Sequence, residues 1–535
     1  MMSVGGLIAN DAARPWHRHW PAHVPRSLPY PDAPAWSILE RSATRFPDRV
    51  AVRDLDHETG AERRALTYAA LFRAARGVAT GLAKRGVVHG ARVGFCLPNG
   101  SDLVLAYYAT WLAGGTAVPV NAAAREGEVE RQLGDAGVSV LIAPRGSRGA
   151  TVAERLGVPL VDLEALREME AFPAGNAGAA CAPDADVAVL LYTGGTTGTP
   201  KGAMLTHRNI VANTVQFAKW YAFEPGAEVS VSAIPMSHSG GMSGVMNVPL
   251  SAGGTLLAFP RFNASTVAKA VTRYRVTRLF GVPTMFIALL NDEEGRRADY
   301  SALRACRTNA APLPPSVKVA FDTLVGREVL VEGYGLTETS PLTHANPIAR
   351  ARAGSIGLPL PDTDARIVDL DTGETVGPGA SGELLIRGPQ VMCAYWNRPE
   401  ATADTLRDGW LHTGDVAVMD EDGYFAIVDR KKDVINTAGF KVWPREVEEA
   451  LYAHPAVKLA AVIGVPDDYR GEAVKAFVVL KDDHQGRVCA ETLVGHCRDR
   501  LSGYKVPRHV EIRSELPLME TGKLLRRALR RSRSL

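Results

Sequence analysis

The 535-residue chain is poor in the features that mark several protein classes. Cysteine is scarce: six residues, at 96, 181, 306, 393, 489 and 497, with no CxxC pair among them. That argues against a disulfide framework or a cysteine-based zinc site and points to free thiols in a reducing compartment. Net charge is only +3, so no global basic field speaks for nucleic acid. No apolar run approaches the ~18–20 residues that a membrane span needs. The opening stretch MMSVGGLIANDAARPWHRHW has no charged region followed by a long apolar core, so no signal peptide is expected. His17, His19 and His23 have no neighbouring cysteine or acidic ligands and read as surface histidines, not a metal site.

Several nucleotide and hydrolase signatures are missing too. A Walker loop needs Gly-Lys-Ser/Thr. Here Lys201 lies between Pro200 and Gly202, and TGKL at 521–524 has Pro517 in place of the first glycine. The glycine-rich stretch at 192–202 holds no GxGxxG fingerprint, and no GxSxG elbow occurs. There is also no aspartate between 225 and 262 to answer an α-ammonium group.

What is present starts with that stretch, YTGGTTGTPKG. Four glycines, four threonines and a lysine fall within eleven residues, after the apolar run VAVLLY (187–192). Small donors around one cation suit a triphosphate that is gripped and then released as pyrophosphate. A segment with Val211, Val215 and Ala218 at helical spacing follows, capped by Thr206. The loop is therefore expected between a strand and a helix, where backbone amides meet an anion.

Length alone predicts two or more domains. ARVGFCLP (91–98), VSVLIAP (138–144) and VAVLLY read as buried strands, and SDLVLAYYATWLAGG (101–115) as a helix ending in glycine. The expected class is α/β with largely parallel sheets. After about residue 370 the texture changes to short strands between tight turns. WPREVEEALYAHPAV then starts a helix with Pro444 in its first turn, and two strands, a helix and a short strand follow. This gives a large N-terminal domain over 1–429, a boundary at 430–433, and a small mobile α+β domain over 434–535.

Six motifs stand in order: YTGGTTGTPKG, PMSHSGGM (235–242), YGLTET (334–339), HTGD (412–415), DRKKDVINTAGFKVWPREVE (429–448) and PLMETGK (517–523). With them the chain resembles the adenylate-forming superfamily of acyl-CoA synthetases, luciferases and peptide-synthetase adenylation domains, over essentially its whole length. The leader RPWHRHWPAHVPRSLPYPD is similar to that of bacterial medium- and long-chain fatty acyl-CoA ligases.

The resemblance implies an ATP-dependent, AMP-forming ligase of fatty acid metabolism. Its co-substrate would be coenzyme A and its metal Mg²⁺. Thr193, Gly194, Thr196, Thr197, Gly198 and Lys201 would grip the phosphates. Tyr334 and Gly335 would face adenine, Thr337 the α-phosphate, and Glu338 the Mg²⁺. Asp415 and Arg430 would take the ribose hydroxyls. Lys523 would bridge the substrate carboxylate and the α-phosphate, with Lys432 at a hinge that lets the small domain rotate between half-reactions. Gly439 and Lys441 would then serve the thioester step. His238, Gly240, Gly241, Asn309 and Ala310 would line the acyl pocket, His238 by touching the carboxylate or by packing there. Asn309 stands where the family usually has glycine, in TNAAPLP. Aryl or cyclic acids, and a carrier protein as acceptor, remain alternatives.

The expected partner is a small carboxylic acid, with no nucleic acid, and the family pattern implies a homodimer in the cytoplasm. The basic end GKLLRRALRRSRSL reads either as a solvated tail or as a peripheral membrane contact.

Overall fold

The computed structural model describes residues 14–173, 175, 178–193, 200–309, 311–437, 440–467, 469–517, 524 and 526–531. By internal contacts the chain forms two compact units. Among the described residues the larger holds the chain up to Asp364 together with Ile386–Leu411. The smaller holds Ala365–Leu385 and His412 onward.

Two sheets build the larger unit. In the first, six strands run parallel in the order Leu330–Gly335, Ala305–Thr308, Arg278–Gly281, Val229–Ser232, Thr255–Ala258 and Val50–Leu55. Antiparallel strands close its edges. The second sheet has a parallel centre of Val187–Tyr192, Thr116–Pro119, Arg92–Phe95, Val140–Ile142 and Leu160–Val161. Short apolar strands buried on both faces are what a parallel centre requires.

The helix Ser101–Leu112 is apolar nearly all round and buries every residue except Asp102. A helix of that kind must be covered on all sides. Its polar tips find acceptors: Trp111 Nε1 donates to Ala188 O at 2.9 Å, Tyr107 Oη to Met236 O at 3.0 Å, and Tyr108 Oη to Asn247 Oδ1 at 2.9 Å. The segment 236–247, which holds the acyl-pocket candidates His238, Gly240 and Gly241, is thus tied to this buried helix.

One expectation changes. The Gly/Thr stretch does not lead straight into a helix. Gly202–Thr206 forms a strand antiparallel to Val187–Tyr192, with Tyr192 opposite Gly202, and only then does the helix His207–Trp220 begin. Its first amides are already answered by a capping box between Thr206 and Asn209. The loop is set by the end of a strand pair, not by a helix N-terminus.

In the smaller unit, Trp410–Met419 pairs antiparallel with Phe425–Arg430. A second sheet of Phe440–Val442, Ile435–Thr437, Gly471–Leu480 and Val457–Asp467 carries His509–Ile512 parallel on Gly471–Leu480. The helix Pro444–Tyr452 buries Val447 and Leu451 against it. Near the chain end, Leu529 and Leu524 pack with Ile463, Phe477 and Leu516. These apolar side chains serve the core. No helix among the described residues is long and apolar enough to cross a membrane.

Candidate active site

The base of the Gly/Thr loop is well defined. Thr193 N donates to Lys201 O at 2.9 Å, and the short strand Ala394–Tyr395 runs antiparallel alongside, with Tyr395 opposite Ala203. This register lays the Tyr395 ring under Lys201, whose Nζ is 5.1 Å from the ring centroid. A cation over an aromatic face is held without being neutralised. The Tyr395 hydroxyl then donates to Glu338 Oε1 at 2.6 Å, while Glu338 O accepts from Met392 N at 2.8 Å. A cation, a phenol and a carboxylate are so linked in one line.

Glu338 sits on a single 3-10 turn, Thr337–Thr339, just after the strand Leu330–Gly335. The chain reverses sharply there. A Cβ at Gly335 would lie 1.8 Å from Pro341 O, so only glycine fits. Thr339 Oγ1 accepts from Leu336 N at 2.9 Å and fixes the turn. Tyr334 is half-buried, and His344 meets its ring edge-on with centroids 6.0 Å apart. Burial pushes the His344 imidazole down to about 3, so it is neutral at working pH.

The acyl-pocket candidates divide by their neighbours. A Cβ on Gly240 would lie 3.6 Å from Asn309 Nδ2, so these two positions face each other. A Cβ on Gly241 would run into Pro235 O at 2.1 Å. Gly241 therefore has a packing reason of its own. His238 is exposed, and its amide donates to Pro235 O at 3.2 Å.

In the smaller unit, Asp415 and Arg430 are directly opposed across their strand pair. Arg430 Nε lies 2.8 Å from Asp415 Oδ1. The carboxylate is 3% exposed and the guanidinium 38%. Glu383 braces this corner, accepting from Gly414 N at 3.1 Å and from Lys431 Nζ at 3.1 Å. Lys432 is driven down by burial and by the nearby Arg430 charge. Asp433 is bonded by Arg530 at 3.0 Å. Lys441 pairs with Asp371 at 3.2 Å on the strand Phe440–Val442. Gly194, Thr196, Thr197, Gly198, Ala310, Gly439 and Lys523 lie outside the described residues.

The structure thus joins Thr193, Lys201 and Glu338 in one unit and Asp415 with Arg430 in the other. Tyr395, His344 and Glu383 were missed by sequence reasoning. Tyr395 lies in AYWNRPE, 57 residues beyond Glu338, and nothing local marks it. No group of three or more His, Cys, Asp or Glu among the described residues is placed to hold a metal.

Comparison with known proteins agrees along the whole chain. The family model for the AMP-binding enzyme matches residues 39–396, and that for the AMP-binding enzyme C-terminal domain matches 446–523. A long-chain-fatty-acid–CoA ligase of Bacillus subtilis (strain 168) is 40% identical over 97% of this chain and 98% of its own length. A feruloyl-CoA synthase of an Amycolatopsis species is also 40% identical, over 87% of this chain and 94% of its own. The crystal structure of ATP-bound MatB from Rhodopseudomonas palustris superposes with a TM-score of 0.85 at 30% identity, covering 94% of this chain and 99% of that one.

Proposed function

The chain belongs to the family of AMP-binding enzymes, and from that premise we propose that this AMP-forming acyl-CoA ligase activates a medium- or long-chain fatty acid. The observation that carries the ligase chemistry is the Lys201–Tyr395–Glu338 line at the base of the Gly/Thr loop. The fatty acid is supported by relatives named for that substrate that match nearly the full chain.

In the first half-reaction a carboxylate oxygen attacks the α-phosphorus of ATP, and the bond to pyrophosphate breaks. Two anions must meet, so cations and donors fixed in advance carry most of the catalysis. Lys201 faces the leaving phosphates, with Tyr395 holding its ammonium in place. Thr193 and Thr337 supply hydroxyls. Glu338 fits Mg²⁺, which is usually held by one or two carboxylates plus substrate phosphates. The ion supplies charge neutralisation at the phosphates when bound. Asp415, aligned by Arg430, accepts from the ribose diol. In the second half-reaction the sulfur of coenzyme A attacks the acyl carbon and AMP departs. Lys523 serves the first step, and Gly439 and Lys441 the second, with Lys432 at the hinge between them.

An aryl acid is the second reading. The feruloyl-CoA synthase equals the fatty acid ligase in identity, over a smaller share of this chain, and Asn309 opposite Gly240 narrows the pocket.

Pyrophosphate release with MgATP and a panel of straight-chain and aryl acids, with and without coenzyme A, tests the function. Sustained release that requires coenzyme A is expected. A single stoichiometric burst, unaffected by coenzyme A, would mean a carrier protein is the acceptor. Lys523→Ala should lower adenylation by about 10²–10³-fold. Thioester formation from preformed acyl-adenylate should persist, and equal loss of both steps would sink the two-step division of labour.

A further inference from the structure

Inward of the acyl-pocket candidate Asn309, the strand leading to it carries a buried arginine. On the strand Ala305–Thr308 and just beyond it, Arg307 and Asn309 are two residues apart and so share a face. Opposite them, Gly240 and Gly244 are four residues apart on one helical segment. A Cβ on Gly240 would meet Asn309 Nδ2, and a Cβ on Gly244 would meet Arg307 Nη2 at 3.1 Å. Arg307 is therefore the next position inward, ~6–7 Å beyond Asn309 at the rise of a strand.

Its state is unusual. Arg307 is 0% exposed, and its Nε, Nη1 and Nη2 have no hydrogen-bond partner among the described residues. The guanidinium lies over Phe217 at 4.4 Å and near Phe280 at 5.3 Å. Two aromatic faces attract a cation but give its N–H groups no acceptor. Burial lowers Arg307 to about 10, which leaves it charged at neutral pH. Nearby, the buried Tyr221 hydroxyl is also without a partner among the described residues. A buried charge with unanswered donors is rarely kept unless something answers it.

A guanidinium presents a planar fork that matches a carboxylate. Methylenes of a substrate would run past Gly240, where an added Cβ would meet only Asn309 at ordinary contact distance, toward the two phenylalanines. A plain hydrocarbon end would leave the fork unanswered.

We propose that Arg307 determines the substrate specificity of this ligase, and that the preferred acid carries a second carboxylate at its far end, which accepts from the Arg307 guanidinium. This rests on the acyl-CoA ligase reading and on the placement of the acyl pocket at Asn309. It narrows the fatty acid to one with two acid ends.

The test uses the purified full chain with ATP, Mg²⁺ and coenzyme A. AMP formation is measured for straight-chain monocarboxylic acids and for α,ω-dicarboxylic acids of matched carbon number. The wild type should prefer the diacid at its best length by at least about a hundredfold in kcat/KM, because a buried donor left unpaired is strongly rejected. Arg307→Leu should lose the diacid and gain the matched monoacid, inverting the ratio. Arg307→Lys should keep the sign of the preference with a smaller value. A wild type that prefers monoacids at every length would overturn the proposal. So would an Arg307→Leu variant that lowers both series by the same factor, the mark of a purely structural arginine. If that variant does not fold, the wild-type ratio alone decides. Turnover of monoacids alone leaves the ligase reading standing, whereas silence on every acid removes both.

Discussion

Two arginines on neighbouring strands show how differently one sheet treats the same side chain. Arg278 and Arg307 are both buried, and each guanidinium lies 4.4 Å from a phenylalanine ring, Phe223 and Phe217 respectively. Arg278 is answered by its own chain. Its Nε and Nη2 donate to Glu228 at 2.9 and 2.8 Å, and Nη2 also reaches Ala222 O at 3.1 Å. Burial works to raise the Glu228 carboxyl, but the bonds and charge of Arg278, with Thr277 and the Glu224 amide, hold it below its ordinary value. Arg307 has the same aromatic contact and, among the described residues, no hydrogen-bond partner. A charge answered by its own chain is part of the frame; the one left open is the basis of the specificity proposed above.

The largest effect should come from breaking the closed pair. Glu228→Ala strands Arg278 in the core and should cost about 3–5 kcal/mol, read as a lowered thermal midpoint. Arg307→Met removes a charge that no described residue hydrogen-bonds, so it should be neutral or stabilising by roughly 1–4 kcal/mol in the absence of substrate. Equal destabilisation by the two variants would erase the distinction.

Tyr395→Phe sharpens it at the phosphate end. Losing the 2.6 Å bond to Glu338 should cost about 1.5–3 kcal/mol of transition-state stabilisation, with a raised Mg²⁺ requirement in initial-rate assays. No change in either would remove Tyr395 from the site.

Acid distinguishes groups that can discharge from those that cannot. Burial lowers His207 to about 4 and His344 to about 3, against about 6.5 when unfolded. Between these values the unfolded chain binds the proton and the folded one does not. Stability should therefore fall as pH drops below ~6.5, by about 1.4 kcal/mol per pH unit for each histidine. His207→Gln should flatten the slope of thermal midpoint against pH.

The smallest effect is local. Thr206→Ala removes the cap of the helix His207–Trp220 and should cost about 1 kcal/mol, without changing the acid preference.

What the sequence revealed follows from how local each feature is. The Thr206 cap and the Pro444 helix start are set within four residues and could be read directly. Asp415 and Arg430 are near in sequence, and their pairing follows from one antiparallel turn. The strand Gly202–Thr206 could not be distinguished from a loop leading to a helix, because five residues give little periodicity and its pairing is fixed by distant chain. Tyr395 and Glu338 come from separate motifs, and only the register of Ala394–Tyr395 on Gly202–Thr206 brings the phenol to the carboxylate. An arginine inside an apolar strand is visible in the sequence, but whether it is answered depends on a residue 50 positions away for Arg278 and, among the described residues, on none for Arg307.

The basic chain end is anchored more firmly than its composition suggests. Arg526 bonds Glu448 at 2.7 and 2.8 Å, Arg530 bonds Asp433, and Glu448 also receives Val462 N at 2.8 Å. A proteolytic nick ahead of Arg526 would therefore do more than trim a fringe. It would strip two buried acids of their cations and withdraw Leu529 from the core, so wear at the last ten residues would register as loosening of the whole smaller unit.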